Sequence, residues 1–252
     1  MELIRNKLLP PLHIPRVSRT RLLDLIEQSR GAASATILTG RSGVGKTILA
    51  ADYVRKSAAA VAWFDVDATD ILFPVFLRYF TASIKCSRPE FDEEALIARA
   101  QAATEAEIPA IAEELVERLQ ADCEPLLIVL DNLHLIYDAA WVAPFLQRLL
   151  PLLPCESHLL ILSRTLPPAP LWRLRSKQRL IVCDEATLAF TKEEAEELFL
   201  SYGLSSELAE KTWRTTHGRA AAMDASARGA ITDKGRGTAI EPNLHNCKQL
   251  LY

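Results

Sequence analysis

Gly40-Arg41-Ser42-Gly43-Val44-Gly45-Lys46-Thr47 decides how this chain folds. The eight residues fill the pattern G-x-x-x-x-G-K-[ST] of a phosphate-binding loop, Walker A, which sits between a strand and a helix. Both flanks are predicted here. Ala35-Thr36-Ile37-Leu38-Thr39 is a β-prone apolar run suited to a buried parallel strand, and beyond the loop Leu49 and Tyr53, then Ala50 and Val54, recur at helical spacing. Glycines at 40, 43 and 45 keep side chains out of the way, so successive backbone N–H groups can converge on phosphate oxygens at the positive end of the helix that begins near Lys46. Arg41, Ser42 and Val44 occupy the variable positions. In such a loop the lysine, Lys46, reaches the terminal phosphates as a point charge, and the Thr47 hydroxyl joins the shell of a magnesium ion carried by the nucleotide. The competing reading is a glycine-rich turn that matches by accident, and the complete context speaks against it.

Composition sets the bounds. A chain of 252 residues, 49% hydrophobic and 24% charged, can bury the core of one α/β domain and a smaller appendage. The longest apolar runs are broken by Pro, Arg or Asp well short of a membrane span, and Met1-Glu2-Leu3-Ile4-Arg5-Asn6-Lys7 lacks a signal-peptide layout, so a cytoplasmic protein without membrane contact is expected. A net charge of −3 gives no reason to expect direct DNA binding. Five cysteines, at 86, 123, 155, 183 and 247, form no C-x-x-C pair and are expected as reduced, mostly buried thiols. His134, beside an apolar run, is expected to be a hydrogen-bonded structural histidine, and no metal is expected other than the nucleotide's magnesium.

Strand-like runs alternate with helical patterns along the chain, the arrangement that yields a parallel sheet covered on both faces. Residues 60–66, 125–131, 159–164 and 179–183 supply four further strands. Between them lie a helix holding Phe73, Phe76, Leu77 and Phe80, one from Glu93 to Gln101, and one with Ile108, Ile111, Leu115 and Leu119 on a single face. The run Leu126-Leu127-Ile128-Val129-Leu130 ends in Asp131, as a Walker B strand does. An acid at the carboxyl end of a buried strand stands beside the ligand crevice and can hold magnesium through its water shell. Arg164, at the end of the fourth run, has two readings: contact with the terminal phosphate, or a surface arginine after a strand. Thr191 and Glu194 form a capping box that opens an amphipathic helix, Gly203 ends it, and a second helix is predicted near Ser206 to Thr215.

The predicted fold is therefore α/β: a P-loop NTPase with a five-stranded, mostly parallel sheet flanked by helices, plus a small C-terminal helical lid. Its expected divisions are 1–30, an N-terminal segment and first helix contributing to the nucleotide site; 31–186, the core; 187–225, the lid; and 226–252, a loose tail without sustained periodicity.

Several segments occur in an order that resembles a known family. They are Lys7-Leu8 with Pro10-Pro11, Val17-x-Arg19-x-x-Leu22-Leu23, Gly43 to Thr47, Val61-Ala62-Trp63, Leu130-Asp131-Asn132-Leu133-His134, Leu162-Ser163-Arg164-Thr165-x-Pro167 and Phe190-Thr191-x-x-Glu194-Ala195. Together, from about residue 7 to about residue 223, they are similar to the large ATP-binding regulators of the LuxR family, the MalT-like branch of the STAND signalling ATPases. The resemblance implies a slow ATPase switch in transcription regulation and signal transduction, closed on ADP and opened by ATP and an inducer to allow self-association or association with related regulators. It alone implies adenine as the base, held through residues around Val17 and Arg19. The helical-repeat sensor and DNA-binding helix-turn-helix of such regulators are not recognisable in this sequence.

Two positions depart from the family pattern. Asn132 stands where a second acid usually follows the Walker B aspartate; an amide can hold the attacking water but accepts a proton poorly, which puts hydrolysis in doubt and leaves binding intact. On that reading, Asn132→Asp is expected to raise turnover. Gly218-Arg219 stands where the lid usually carries Gly-Trp. The sequence thus leaves three functions open: a slow switch ATPase using Lys46, Asp131, Asn132 and Arg164, a binding-only module, and a small-molecule kinase, against which stands the lack of an arginine-rich lid.

Overall fold

A computed structural model of the chain describes residues 3–121, 124–177 and 179–237. Five strands pair side by side: β1 Ala35–Thr39, β2 Ala60–Asp65, β3 Leu126–Asp131, β4 Ser157–Ser163 and β5 Leu180–Cys183. Their order is β2-β3-β4-β1-β5, and all four pairings are parallel. The sheet, expected to be mostly parallel, is parallel throughout. Each strand lies within two residues of its expected limits.

Alternation of side chains along the strands feeds two separate cores. On one face Leu38, Trp63, Leu127, Val129, Leu160 and Leu162 meet α1 (Thr20–Ala32) and α2 (Lys46–Lys56). On the other, Ile37, Phe64, Ile128, Leu130, Leu159 and Ile161 meet α3 (Phe73–Ser87), α4 (Glu94–Ala102), α5 (Ile108–Gln120) and α6 (Val142–Leu152). Phe76 anchors an aromatic cluster there, with its ring centroid 4.7 Å from that of Trp141 and 5.9 Å from that of Phe145. Helix α6 was hidden in the sequence by Pro144 and Pro151. Pro144 lies in the first turn, where an amide has no helical partner, and Pro151 stands one residue before the end, so that the hydrogen bond it forgoes is among the last of the helix.

The chain between β4 and β5 adds α7 (Trp172–Ser176), and α8 (Glu185–Leu188) follows β5. Residues up to Leu188 form one compact unit and those from Ala189 a second. The second contains α9 (Lys192–Ser201), α10 (Ser206–Thr216) and α11 (Ala220–Gly237). Thr191 and Glu194 do form the capping box, Gly203 turns the chain at φ 70°, and the Trp213 indole donates to the Phe190 carbonyl at 2.8 Å. The tail expected from 226 is instead helical to Gly237. Its alanines favour helix, and Met223 and Ala227, one turn apart, are fully buried. The rest of that expected tail lies outside the described residues.

The cysteines also differ from expectation. Cys183 is buried, whereas Cys86, in the last turn of α3, and Cys155, in the turn before β4, are exposed; Cys123 and Cys247 lie outside the described residues.

His158, fully buried in β4, is held by the Ala33 carbonyl on Nδ1 at 3.1 Å and the Thr36 hydroxyl on Nε2 at 3.0 Å. The carbonyl can only accept, so Nδ1 carries the proton and Nε2 accepts. Burial pushes its pKa down to about 4. The folded state therefore keeps the ring neutral while the unfolded chain protonates it near 6.5, and stability is lost as pH falls from about 6.5 towards 4, by about 2 kcal/mol at pH 5. Thermal midpoints at pH 7 and pH 5 check this. His158→Gln should lose less than the parent on acidification, and an equal loss would remove His158 as the cause.

Candidate functional site

The sheet brings the loop, Asp131, Asn132 and Arg164 to one edge, the carboxyl ends of the strands. β1 sits between β4 and β5, and the crossovers that leave the neighbouring strands β1 and β4 run in opposite directions; open α/β sheets bind ligands in the crevice at such a point. After β1 the chain turns through Gly43 at φ 85° and Gly45 at φ 90°, backbone conformations that side-chain-bearing residues rarely adopt. The Gly40 amide donates to the Ser163 carbonyl at 3.2 Å, and the Leu49 amide to the Gly45 carbonyl at 2.9 Å, which closes the first turn of α2.

Lys46 curls back over the loop, its ammonium donating to the Gly40 carbonyl at 2.5 Å and the Arg41 carbonyl at 3.2 Å. Burial lowers its pKa; Asp131 and Glu185 oppose the shift and Arg164 adds to it. The Thr47 hydroxyl donates to Asp131 Oδ2 at 2.8 Å, and the Asn132 amide N–H to Asp131 Oδ1 at 2.9 Å. Asp131 is only 4% exposed, and burial pushes its pKa up to about 6, with the neighbouring Asp65 contributing against the hydrogen bond from Thr47.

Asn132 takes the left-handed conformation at φ 59°, which asparagine tolerates better than most residues, and its side-chain amide donates to Asp65 Oδ1 at 2.9 Å. Arg164 is exposed just past β4, near enough for its charge to lower the pKa of both Lys46 and His134. His134 is not the hydrogen-bonded histidine expected from sequence. Its Nδ1 is buried without a partner among the described residues, in the turn of 3-10 helix that follows Asn132, and burial together with the Arg164 and Lys46 charges lowers its pKa.

Arg19 links separate parts of the chain: its guanidinium donates to the Leu188 carbonyl at 2.7 Å and the Gly45 carbonyl at 3.3 Å. Val17, two residues earlier, is buried. Arg41 and Ser42 are exposed on the loop, Val44 is buried beneath it, and Glu185 accepts from both the Arg41 amide and its guanidinium. Two of these residues had escaped notice. Asp65 ends β2 as Asp131 ends β3, so the strand-end rule applied once more would have found it; Glu185 carries no local signal.

The model of the AAA ATPase domain family matches residues 18–162, more than half of the chain. The chain belongs to this family. This AAA ATPase domain is also MalT-like. It is 30% identical over 231 residues to the HTH-type transcriptional regulator MalT of Yersinia enterocolitica, covering 84% of this chain and 24% of that protein. The MalT of Serratia proteamaculans is 30% identical over 200 residues, with 78% and 22% covered. The chain thus spans about a quarter of the length of these curated relatives. Among solved structures, the Walker-type ATPase PABY2304 of Pyrococcus abyssi has 13% identity and a TM-score of 0.46, covering 90% of this chain and 78% of its own. A Thermotoga maritima RuvB variant has 13% identity and 0.47, with 88% and 65% covered.

The donor set of the AAA ATPase domain suits a nucleotide phosphate with a small hard cation. The Thr47 hydroxyl and Asp131 carboxylate are adjacent oxygen donors, one on the loop and one at the end of β3. That fits magnesium, which takes one or two protein oxygens and leaves the rest to phosphate and water. Lys46, bonded to carbonyl dipoles, supplies a cation whose charge is incompletely matched.

Without ligand, ionised Asp131 opposes folding. Its folded pKa of about 6 exceeds the unfolded value near 3.9, so its contribution worsens as pH rises through that window and reaches about 3 kcal/mol at pH 7. Asp131→Asn should therefore raise the melting temperature of ligand-free protein at neutral pH; a lowered temperature would mean that the bonds from Thr47 and Asn132 outweigh the burial.

Proposed function

We propose that this AAA ATPase domain is an ATP-binding signalling switch of the STAND type that hydrolyses ATP slowly, the motor portion of a MalT-like transcriptional regulator of the LuxR family. The observation that carries the reading is the 2.8 Å hydrogen bond from Thr47 to Asp131, which joins the phosphate-binding loop to the end of β3 at the point where a nucleotide's cation belongs.

In this reading the loop amides and the start of α2 receive the phosphates, with Gly40, Gly43 and Gly45 leaving them open to the ligand. Lys46 exchanges its carbonyl partners for phosphate oxygens, a stronger charge-assisted contact. Thr47 and Asp131 hold magnesium, which when bound neutralises charge on the phosphates. Arg164, whose charge already reaches Lys46 and His134, contacts the terminal phosphate and so distinguishes ATP from ADP. Arg19, bonded to the Gly45 carbonyl, is the residue through which the N-terminal segment responds to nucleotide, with Val17 beside the adenine. The ATP state associates with further copies of the chain or with related regulators in the cytoplasm and does not itself bind DNA. Among the described residues no helix is long and apolar enough to cross a membrane.

A binding-only module is the second reading, favoured by Asn132, whose side-chain amide is held by Asp65 and accepts a proton poorly. Thermal melts with and without Mg·ATP and Mg·ADP, together with phosphate release, separate the two. A nucleotide at 100 times its dissociation constant adds about 2.7 kcal/mol, or roughly 5–10 °C for a domain of this size. Lys46→Ala should abolish that shift without lowering the ligand-free melting point by more than a few degrees, and an undiminished shift would end the assignment. Arg164→Ala should bring the affinities for ATP and ADP closer together. Preference unchanged from the parent would leave Arg164 as a surface residue.

A further inference from the structure

We propose that Asp65 supplies the second carboxylate of the ATPase site and that Asn132 is the residue that positions it. The inference rests on the ATP-hydrolysing reading above and deepens it.

Phosphoryl transfer to water needs a group that orients the nucleophile, in addition to the groups that hold the phosphates and the cation. Asp131 is already engaged on both oxygens, by the Thr47 hydroxyl at 2.8 Å and the Asn132 amide at 2.9 Å. Asn132 is committed as a donor, its Nδ2 lying 2.9 Å from Asp65 Oδ1. Glu185, the other carboxylate near Lys46, is bonded to the Arg41 amide and guanidinium, which leaves Asp65 among the carboxylates that end the strands. Asp65 and Asp131 are register partners at the ends of β2 and β3, and the next rung of the ladder, from the Val66 amide to the Asp131 carbonyl at 2.9 Å, keeps them level. Register partners in a parallel pair share a face, and this face is the one that packs Trp63 and Val129 against α2, the helix that begins at Lys46. Asp65 is half-buried, in contrast to the nearly enclosed Asp131, so one of its oxygens is tied to Asn132 while the group retains access to solvent.

A continuous line of hydrogen bonds therefore runs from Thr47 through Asp131 and Asn132 to Asp65. An amide at 132 is what this line requires. Asparagine donates to both neighbouring carboxylates, one through its backbone and one through its side chain, where an aspartate would set a third negative charge against Asp65. In the reaction the Asp65 carboxylate accepts a hydrogen bond from the attacking water. The water oxygen bonds to the γ-phosphorus as the bond from that phosphorus to the bridging oxygen breaks. The bridging oxygen leaves with the electron pair on ADP, and the water's protons end on the released phosphate.

Steady-state phosphate release and the Mg·ATP thermal shift, measured together on the full chain, test the assignment. Asp65→Asn should lower kcat at least tenfold, in keeping with the effect of a group that acts on the nucleophile, while KM and the thermal shift stay within about twofold. Asp65→Glu should recover part of the rate, which a purely structural role would not. Asn132→Asp should lower turnover, opposite to the gain expected if position 132 simply lacked its acid. A higher rate in Asn132→Asp, an unchanged rate in Asp65→Asn, or a loss of ATP binding in Asp65→Asn that matches its loss of rate would each overturn the proposal. A parent chain with a Lys46-dependent thermal shift but no phosphate release would overturn it too while leaving nucleotide binding intact; a parent with no shift would overturn the nucleotide reading beneath it.

Discussion

A parallel strand buried on both faces cannot end inside the core, because its last amides and carbonyls need polar partners. That constraint governs this molecule. β1, β3 and β4 are closed off from solvent along their whole length, and each ends in Thr39, Asp131 or Ser163. Since all pairings are parallel, these polar ends fall on one edge, and the loop that leaves β1 is fastened there through Gly40 and Ser163. The hydrophobic effect that assembles the sheet thus also collects the loop, the acids and Arg164.

The same edge concentrates charge at low dielectric. Asp131 is held partly against its preference by Thr47 and Asn132, Lys46 is desolvated and bonded to carbonyls, and Arg164 stands near enough to depress it. Neither charge is neutralised by direct contact with the other; Lys46 turns to its own loop and Asp131 to its hydrogen-bond donors. A site arranged in this way is less stable without ligand than a paired one, and on the proposed reading a phosphate with its cation would relieve both groups at once, so that affinity would come from the removal of this mismatch as well as from new bonds. The pH responses of the fold and the site run in opposite directions: acid protonates the unfolded chain at His158 before the native state, but the native state at Asp131 before the unfolded chain.

How much of this the sequence discloses depends on whether the controlling interaction is local. The strands could be read because each is a short apolar run with a polar end, and the capping box because Thr191 and Glu194 lie three residues apart. Helix α6 was obscured because proline counts against a helix unless its position within the turns is known, and α11 because alanine-rich periodicity is faint until Met223 and Ala227 are seen to be buried. Contacts that join distant segments were not legible. The reach of Arg19 to Gly45 and Leu188, and that of Glu185 to Arg41, depend on where β5 and α8 lie beside β1. His134 misled for a related reason: its unpartnered nitrogen follows from the turn after Asn132, which residue type does not announce.

Asn132 shows how residue-by-residue comparison can misjudge a site. Taken alone it is an acid lost from the end of β3. Taken with its neighbours, it is the donor that lets two carboxylates on adjacent strands stand level without a third charge between them, and its left-handed backbone turns its own N–H onto one and its side chain onto the other. Aspartate also tolerates that backbone, so geometry alone would not select asparagine. Electrostatics does: with Asp131 already forced towards protonation by burial and by Asp65, a further negative charge at 132 would raise the cost of ionising Asp131 again. The side chain at 132 is therefore tied to the presence of an acid at 65, and the two positions are best understood as a pair.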